Sequence, residues 1–366
     1  MKKNITLVLV LAIIVGAIFF IESKEAHPSA STTPAVDVTL PSFIATSTST
    51  MPFTIDHAGD SLAKEITDPS GFINTPGDLP ITISQYIGKK VVLIDFWTYS
   101  CINCQRTVPY LQAWYTKYED QGLVIIGVHT PEFEFEKDYA NVSAAVKRLG
   151  ITFPVVMDND YGTWNAYDNH YWPHKYLIDI DGYVTYDQIG EGNYAEDEQA
   201  IQKALQDRAK VLNTGQTISG GIVDPTNAVT DIEAQSPETY FGSSRNQYLG
   251  NGAQSVAGMQ TFTFPQNETS NMLYLSGTWN MQSEYAQSVS ATSAIEYTYN
   301  AKNIYFVAGA TTPVSVDIIQ DGVKVNTITI SDNKLYTLMQ NATGGTHTIE
   351  LQVHGAGLQA FTFTFG

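Results

Sequence analysis

The stretch that most limits how this chain can fold is Val91 to Cys104, VVLIDFWTYSCINC, which ends on the only two cysteines of the sequence. Val91 to Phe96 is short, apolar and rich in β-branched residues, which predicts a buried strand. From Gln105 to Asp120, the apolar positions Val108, Leu111, Trp114, Tyr115 and Tyr118 recur at three- and four-residue intervals, which predicts a helix. Cys101 therefore sits at a strand-to-helix junction, where free N–H groups and the helix dipole favour negative charge on a sulfur. A CxxC pair placed after a strand reads as a redox motif. Three blander readings compete with it. A structural disulfide closing so short a loop constrains the unfolded chain little. A zinc site wants two further thiolates or histidines, and no second CxxC supplies them. Two inert buried cysteines are the third. A dithiol that cycles is the reading carried forward.

With 366 residues the chain has room for about two domains, and a hydrophobic fraction of 43% is ordinary for globular protein. The formal charge of -18 argues against nucleic acid and anionic lipid surfaces as partners. Met1 to Ile21 opens with Lys2 and Lys3 and continues as an apolar run of about 17 residues, close to the length of a bilayer-spanning helix. Lysines ahead of the run place its start in the cytoplasm. A cleaved signal peptide is the alternative. The expectation is an uncleaved single-pass anchor, because no small-x-small cleavage site follows at once, and either way the catalytic part is extracytoplasmic. Residues 22–52 are rich in Ser, Thr, Pro and Ala and read as a tether.

Residues 53–213 alternate strand and helix. Ile81 to Ser84 is a short strand candidate and Leu123 to His129 a second buried strand. A helix from Asn141 to Leu149 stops at Gly150, and Val155 to Met157 forms a short strand. Lys175 to Asp179 and Tyr183 to Gln188 are strands joined through Asp181-Gly182, a strong hairpin signal. A last helix runs from Glu196 to Leu212. This pattern predicts a mixed α/β domain with helices covering a central sheet.

VLIDFWTYSCINC resembles the active-site strand and turn of thioredoxin-fold proteins, with Asp95 six residues before the first cysteine and Pro109 eight after it. GKKVVLIDFW, GITFPVVMD and YWPHKYLIDIDG are similar to the TlpA-like membrane-anchored branch. WTYSCINCQRTVPYLQAWY, GVHTPEFEFEKD and DNDYGTWNAYDNHYWPHKYLID resemble the exported thioredoxin portion of the DipZ proteins, from about Gly71 onward. The resemblance implies a thioredoxin fold with Cys101 as nucleophile, Cys104 as resolving thiol and Asp95 as a buried proton relay. It places Trp97, Trp172 and Pro173 beside the substrate, Pro173 as a cis-proline facing the cysteines. From the sequence alone, Asp95 also reads as strand-end solvation, and Pro173 as an ordinary trans loop proline.

Departures accompany the matches. Thr107 stands where several TlpA-like reductases have glutamate, and Ile102-Asn103 replaces Gly-Pro between the cysteines, so the direction of electron flow is left open. DipZ proteins carry a multi-span membrane domain, whereas this chain has one apolar run, so the implied electron donor is a separate membrane protein of the CcdA type. No cofactor is expected, and the partners are exported protein thiols and disulfides. A thiol peroxidase is the rival enzyme: Thr98-x-x-Cys101 fits the peroxiredoxin pattern, but Ile94 stands where its proline belongs. His129 and Glu132 are candidates near the site, with packing and surface solvation as their ordinary roles. His170 and His174 are too few for a closed metal site.

Residues 214–366 are dominated by Gly, Thr, Asn and Ser with about eight short alternating runs, and predict a β-sandwich of jelly-roll type. SPETYFG at Ser236 and YLSGTWNMQSEYA at Tyr274 resemble the C-terminal domain of the DipZ proteins, which is similar to a carbohydrate-binding module. The resemblance implies a glycan partner, with Tyr240, Trp279 and Tyr285 stacking on sugar rings. The competing reading puts these aromatics in the sandwich core or in its seam with the α/β part. Two function classes follow: a membrane-tethered thiol-disulfide oxidoreductase, or a cell-surface glycan-binding scaffold whose thioredoxin fold is incidental.

Overall fold

The computed structural model describes residues 53–226, 228–229 and 234–366. The apolar N-terminal run and the Ser/Thr/Pro stretch lie outside the described residues; among those described, no helix is long and apolar enough to cross a membrane.

Residues 53–213 build a seven-stranded sheet from β1 (Ser61–Leu62), β2 (Gly71–Ile73), β3 (Val91–Trp97), β4 (Leu123–His129), β5 (Val155–Met157), β6 (His174–Ile178) and β7 (Tyr183–Ile189), in the order β1-β7-β6-β3-β4-β5-β2. β3, β4 and β5 are parallel to one another, and β6 and β7 run antiparallel as a hairpin. Central β3 is buried at every position. Its alternation sends Val91 and Leu93 toward α1 (Ile102–Tyr118), α2 (Tyr139–Arg148) and α4 (Tyr194–Val211), and Val92, Ile94 and Phe96 toward the opposite face. That opposite face is covered by Ile81, Ile83 and Trp164, the last on the short α3 (Gly162–Ala166). Ile81 to Ser84 is not a strand. The N–H groups of Ile83 and Ser84 donate to the Glu65 carboxylate at 2.6 and 3.0 Å instead of to a ladder, while both isoleucines are buried. α2 ends before Gly150, whose φ of +69° suits a residue without a Cβ.

The remaining strands are β8 (Thr239–Tyr240), β9 (Gly258–Phe262), β10 (Leu273–Met281), β11 (Ala286–Ser288), β12 (Thr292–Ala310), β13 (Val314–Gln320), β14 (Val323–Ile330), β15 (Lys334–His354) and β16 (Leu358–Phe365). They form one nine-stranded antiparallel sheet in which the first part of β12 pairs with β10 and its last part with β16. The alternating runs Ile295 to Tyr299 and Asn303 to Val307 read as two strands in the sequence. The structure joins them in β12, and register shifts near Asn303 and Tyr305 absorb the break.

Candidate active site at the dithiol

β3 carries Asp95 two residues before its end at Trp97, the chain turns through Thr98, Tyr99 and Ser100, and Cys101 caps α1. Cys101 is half-buried and Cys104 buried, and both are free thiols. The Cys104 N–H donates to Cys101 Sγ at 3.3 Å, so the helix N-terminus offers its charge-stabilising donor directly to that sulfur. Burial, the Cys101 sulfur and the Asp95 carboxyl all push the Cys104 thiol up. The pair is thereby divided between an accessible sulfur and an enclosed one that keeps its proton.

Asp95 is buried, with Oδ1 unpartnered among the described residues, and burial raises its pKa to about 7. Lys175 opposes the shift and Asp197 adds to it. The β3–β6 register explains Lys175, which is the cross-strand partner of Asp95. Its Nζ lies 3.3 Å from Asp197 Oδ2 and donates to the Gly190 carbonyl at 3.2 Å, and the Tyr186 hydroxyl donates to Asp197 Oδ1 at 2.8 Å. Sequence reasoning missed Lys175 and Asp197. The available signal was a lysine at a position where a two-sided buried strand calls for an apolar residue.

A second buried carboxyl was also missed. Glu136 accepts from the Ser100 N–H at 3.2 Å and hydroxyl at 2.6 Å, and from the N–H groups of Glu132 and Phe133 at 2.7 and 3.1 Å. It holds the turn that precedes Cys101, and burial raises its pKa to about 7. His129 is fully buried, its pKa brought down to about 3 by burial, and its neutral ring accepts from the Tyr99 N–H at 3.3 Å. It therefore packs the turn. Thr107 donates to the Asn103 carbonyl at 2.9 Å within the helix. His174 contacts Asn169 and Asp187, while His170 is exposed.

The Trp172–Pro173 bond is cis. The Trp172 indole donates to the Thr130 carbonyl at 3.1 Å, and the residue lines a cavity of about 170 Å³ shared with Cys101. Trp97 does not line it: at 2% exposure it is core, edge-on to His129 at 5.1 Å, because β3 has helices on one face and packed side chains on the other.

The aromatics proposed for sugar stacking are otherwise engaged. Trp279 is fully buried, with its indole N–H donating to the Ser276 carbonyl at 2.9 Å, so it has no face to offer a sugar. Tyr285 packs 5.0 Å from Phe361, in the seam where Phe361 also meets Phe133 at 5.1 Å and Phe135 at 4.8 Å. Tyr240 donates its hydroxyl to Glu132 Oε1 at 2.8 Å across the same seam.

This is the architecture of a thioredoxin-fold redox protein: a cysteine-capped helix after a strand that carries a buried carboxyl, with a cis-proline bond whose tryptophan shares a cavity with that cysteine. The chain belongs to the thioredoxin-like thiol-disulfide oxidoreductase family. It is 30% identical over 141 residues to the thiol-disulfide oxidoreductase YkuV of Bacillus subtilis, covering 38% of this chain and 92% of that one. To protein DipZ of Mycobacterium tuberculosis it is 39% identical over 307 residues, covering 83% of this chain. That similarity includes the β region, but the chain spans only 43% of the DipZ length. Residues 68–187 match the AhpC/TSA family and residues 236–366 the thioredoxin-like C-terminal domain. Among solved structures, a thioredoxin-like protein in the oxidised form is 28% identical with a TM-score of 0.37, covering 40% of this chain and 97% of that one.

Proposed function

We propose that the chain is a membrane-tethered, extracytoplasmic enzyme that exchanges disulfides with exported proteins through Cys101 and Cys104. The observation that carries this reading is the asymmetry of the two sulfurs above Asp95: one accessible at a helix cap, one buried and protonated beside a carboxyl that titrates near neutrality. In the reducing direction, the Cys101 thiolate attacks a substrate disulfide, a Cys101–substrate bond forms, and the displaced substrate thiolate takes a proton. Asp95 then accepts the Cys104 proton. Cys104 attacks Cys101 Sγ, the enzyme disulfide forms, the second substrate thiolate leaves, and two electrons have passed to the substrate. Oxidation of a substrate dithiol is the same sequence reversed.

The apolar N-terminal run with its preceding lysines supports the tether, and a separate membrane protein of the CcdA type supplies electrons in this reading. Residues 53–213 form the redox domain and 214–366 an accessory domain. The test is reduction of a protein disulfide by the full chain. Cys101→Ser abolishes turnover, and Cys104→Ser accumulates mixed disulfides; turnover that survives Cys101→Ser removes the reading. The AhpC/TSA match favours a thiol peroxidase as the second reading, supported only if Cys101 consumes hydrogen peroxide faster than it exchanges with a protein disulfide.

A further inference from the structure

We propose that the C-terminal β region supplies an acidic second wall to the redox site, selecting protein disulfides that carry a lysine or arginine beside the reacting sulfur. This rests on the oxidoreductase reading and names its substrate class.

The cavity beside Cys101 has two sides. Cys101 and Trp172 belong to the α/β part, and Glu238, Tyr240 and Arg245 come from the β region, with Glu132 between them. Glu132 Oε1 receives both the Tyr240 hydroxyl and Arg245 Nη1 at 2.8 Å, and the Arg245 guanidinium lies 3.7 Å over the Tyr240 ring. The cluster is seated on the Phe133–Phe361 contact, so the wall is built into the seam and does not depend on one surface side chain. Its charges do not cancel. Arg245 is matched by Glu132, which leaves the exposed Glu238 as a second carboxylate with no second cation among the cavity's lining residues.

A disulfide that reaches Cys101 passes between Trp172 and this wall, bringing the residues next to its sulfur against Glu238. A basic neighbour adds an ion pair there, a neutral one leaves Glu238 with only the Tyr240 hydroxyl and the shared field of Arg245, and an acidic one is repelled. The formal charge of -18 steers basic partners toward the chain in the same sense. Burial and the nearby Glu132 raise the Glu238 pKa, with the Tyr240 hydroxyl and Arg245 opposing, so Glu238 is more fully charged above neutral pH and the selection strengthens there.

The test uses the reduced full chain at pH 8 and two disulfide-bonded peptides that differ only in Lys or Gln beside the cysteine, with the second-order rate constant as readout. The wild type is expected to prefer the Lys peptide by about three- to five-fold, the range of a partly exposed ion pair, and added salt compresses that ratio. Glu238→Gln brings the ratio close to one and Glu238→Lys inverts it. Equal rates for the two peptides with the wild type, or a ratio unmoved by Glu238→Lys, overturn the proposal. If the wild type turns over neither peptide nor any protein disulfide, the oxidoreductase reading itself fails and the selection falls with it.

Discussion

Asp95, Arg106, Glu136, Lys175, Asp197 and Glu198 are all buried, and all lie in the α/β half of the molecule. In the β half, the buried polar side chains among the described residues are neutral, among them Thr239, Ser243, Asn246, Ser288 and Thr362. Removing a charge from water is unfavourable unless partners compensate it, and most of these groups are compensated, Arg106 by Glu191, Glu198 by Lys117 and Lys175 by Asp197. The α/β half places its least compensated acid, Asp95, directly under the dithiol. The β half has a continuous apolar core and turns charge outward, including the acids of its seam. One half is built to hold protons at unusual affinities, and the other to hold its shape beside it.

The largest effect that tests this contrast is on the β core. Trp279→Ala leaves a cavity at a fully buried site and is expected to destabilise the protein by about 3–5 kcal/mol, read from the denaturant midpoint. The exchange rate of the folded fraction should not change. A variant as stable as the wild type that had lost binding to a glycan would reverse the assignment of Trp279 from core to ligand platform, and the contrast would break.

Asp95→Asn tests the other half. In the unfolded chain this carboxyl ionises near its ordinary value, and in the folded chain near 7. Between those values the native state holds the extra proton, so wild-type stability falls as pH rises through the window and levels off above it. The asparagine variant escapes that loss. At pH 8 it is expected to be more stable by on the order of 3 kcal/mol, with little gain below about pH 4. If Asp95 takes the Cys104 proton as proposed, the variant also resolves mixed disulfides more slowly. Urea unfolding at the two pH values and trapping of the mixed disulfide check both parts.

How far such groups were legible in the sequence depended on range. The strand, the cap and the helix around Cys101 follow from local periodicity, and the β3–α1 junction lies where WTYSCINC put it. Lys175 and Asp197 are about 80 and 100 residues from Asp95 in the sequence and meet it only through sheet register and helix packing, which no local pattern encodes. Glu136 reads as one acid of a charged run, EFEFEKD, until the turn before Cys101 folds onto it. Trp97 and Trp279 erred in the other direction. An aromatic in a motif says that the position is large and apolar, and only packing decides whether it faces a ligand or the core.

Glu136→Gln is expected to have a smaller effect. The amide nitrogen must face one of the two donor pairs that the carboxylate accepts from, Ser100 on one oxygen or Glu132 and Phe133 on the other, which costs about 2 kcal/mol. The sign with pH follows the Asp95 case. Burial raises the folded pKa to about 7, so the wild type loses stability between about pH 4.5 and 7 and the glutamine variant does not. The deficit is therefore widest at and below about pH 4.5 and shrinks as pH rises toward 8. A deficit that grew with pH would show that the ionised carboxylate, with its four donors, is the favoured folded form.

The smallest effect is expected at the seam. Tyr240→Phe removes one hydroxyl donor to Glu132 while Arg245 keeps its own bond to the same oxygen and its place over the ring, so the loss should be about 1 kcal/mol or less. The Phe133–Phe361 and Phe135–Phe361 contacts and the Tyr99–Asn333 and Glu134–Glu284 hydrogen bonds, which this change does not touch, still join the two halves. The urea midpoint should therefore move slightly, and the alkylation rate of Cys101 should not move at all. A seam that loosened with this one hydroxyl would raise the alkylation rate, because the wall beside Cys101 would open. That result would make the β half a dynamic cover over the dithiol and no longer a fixed wall.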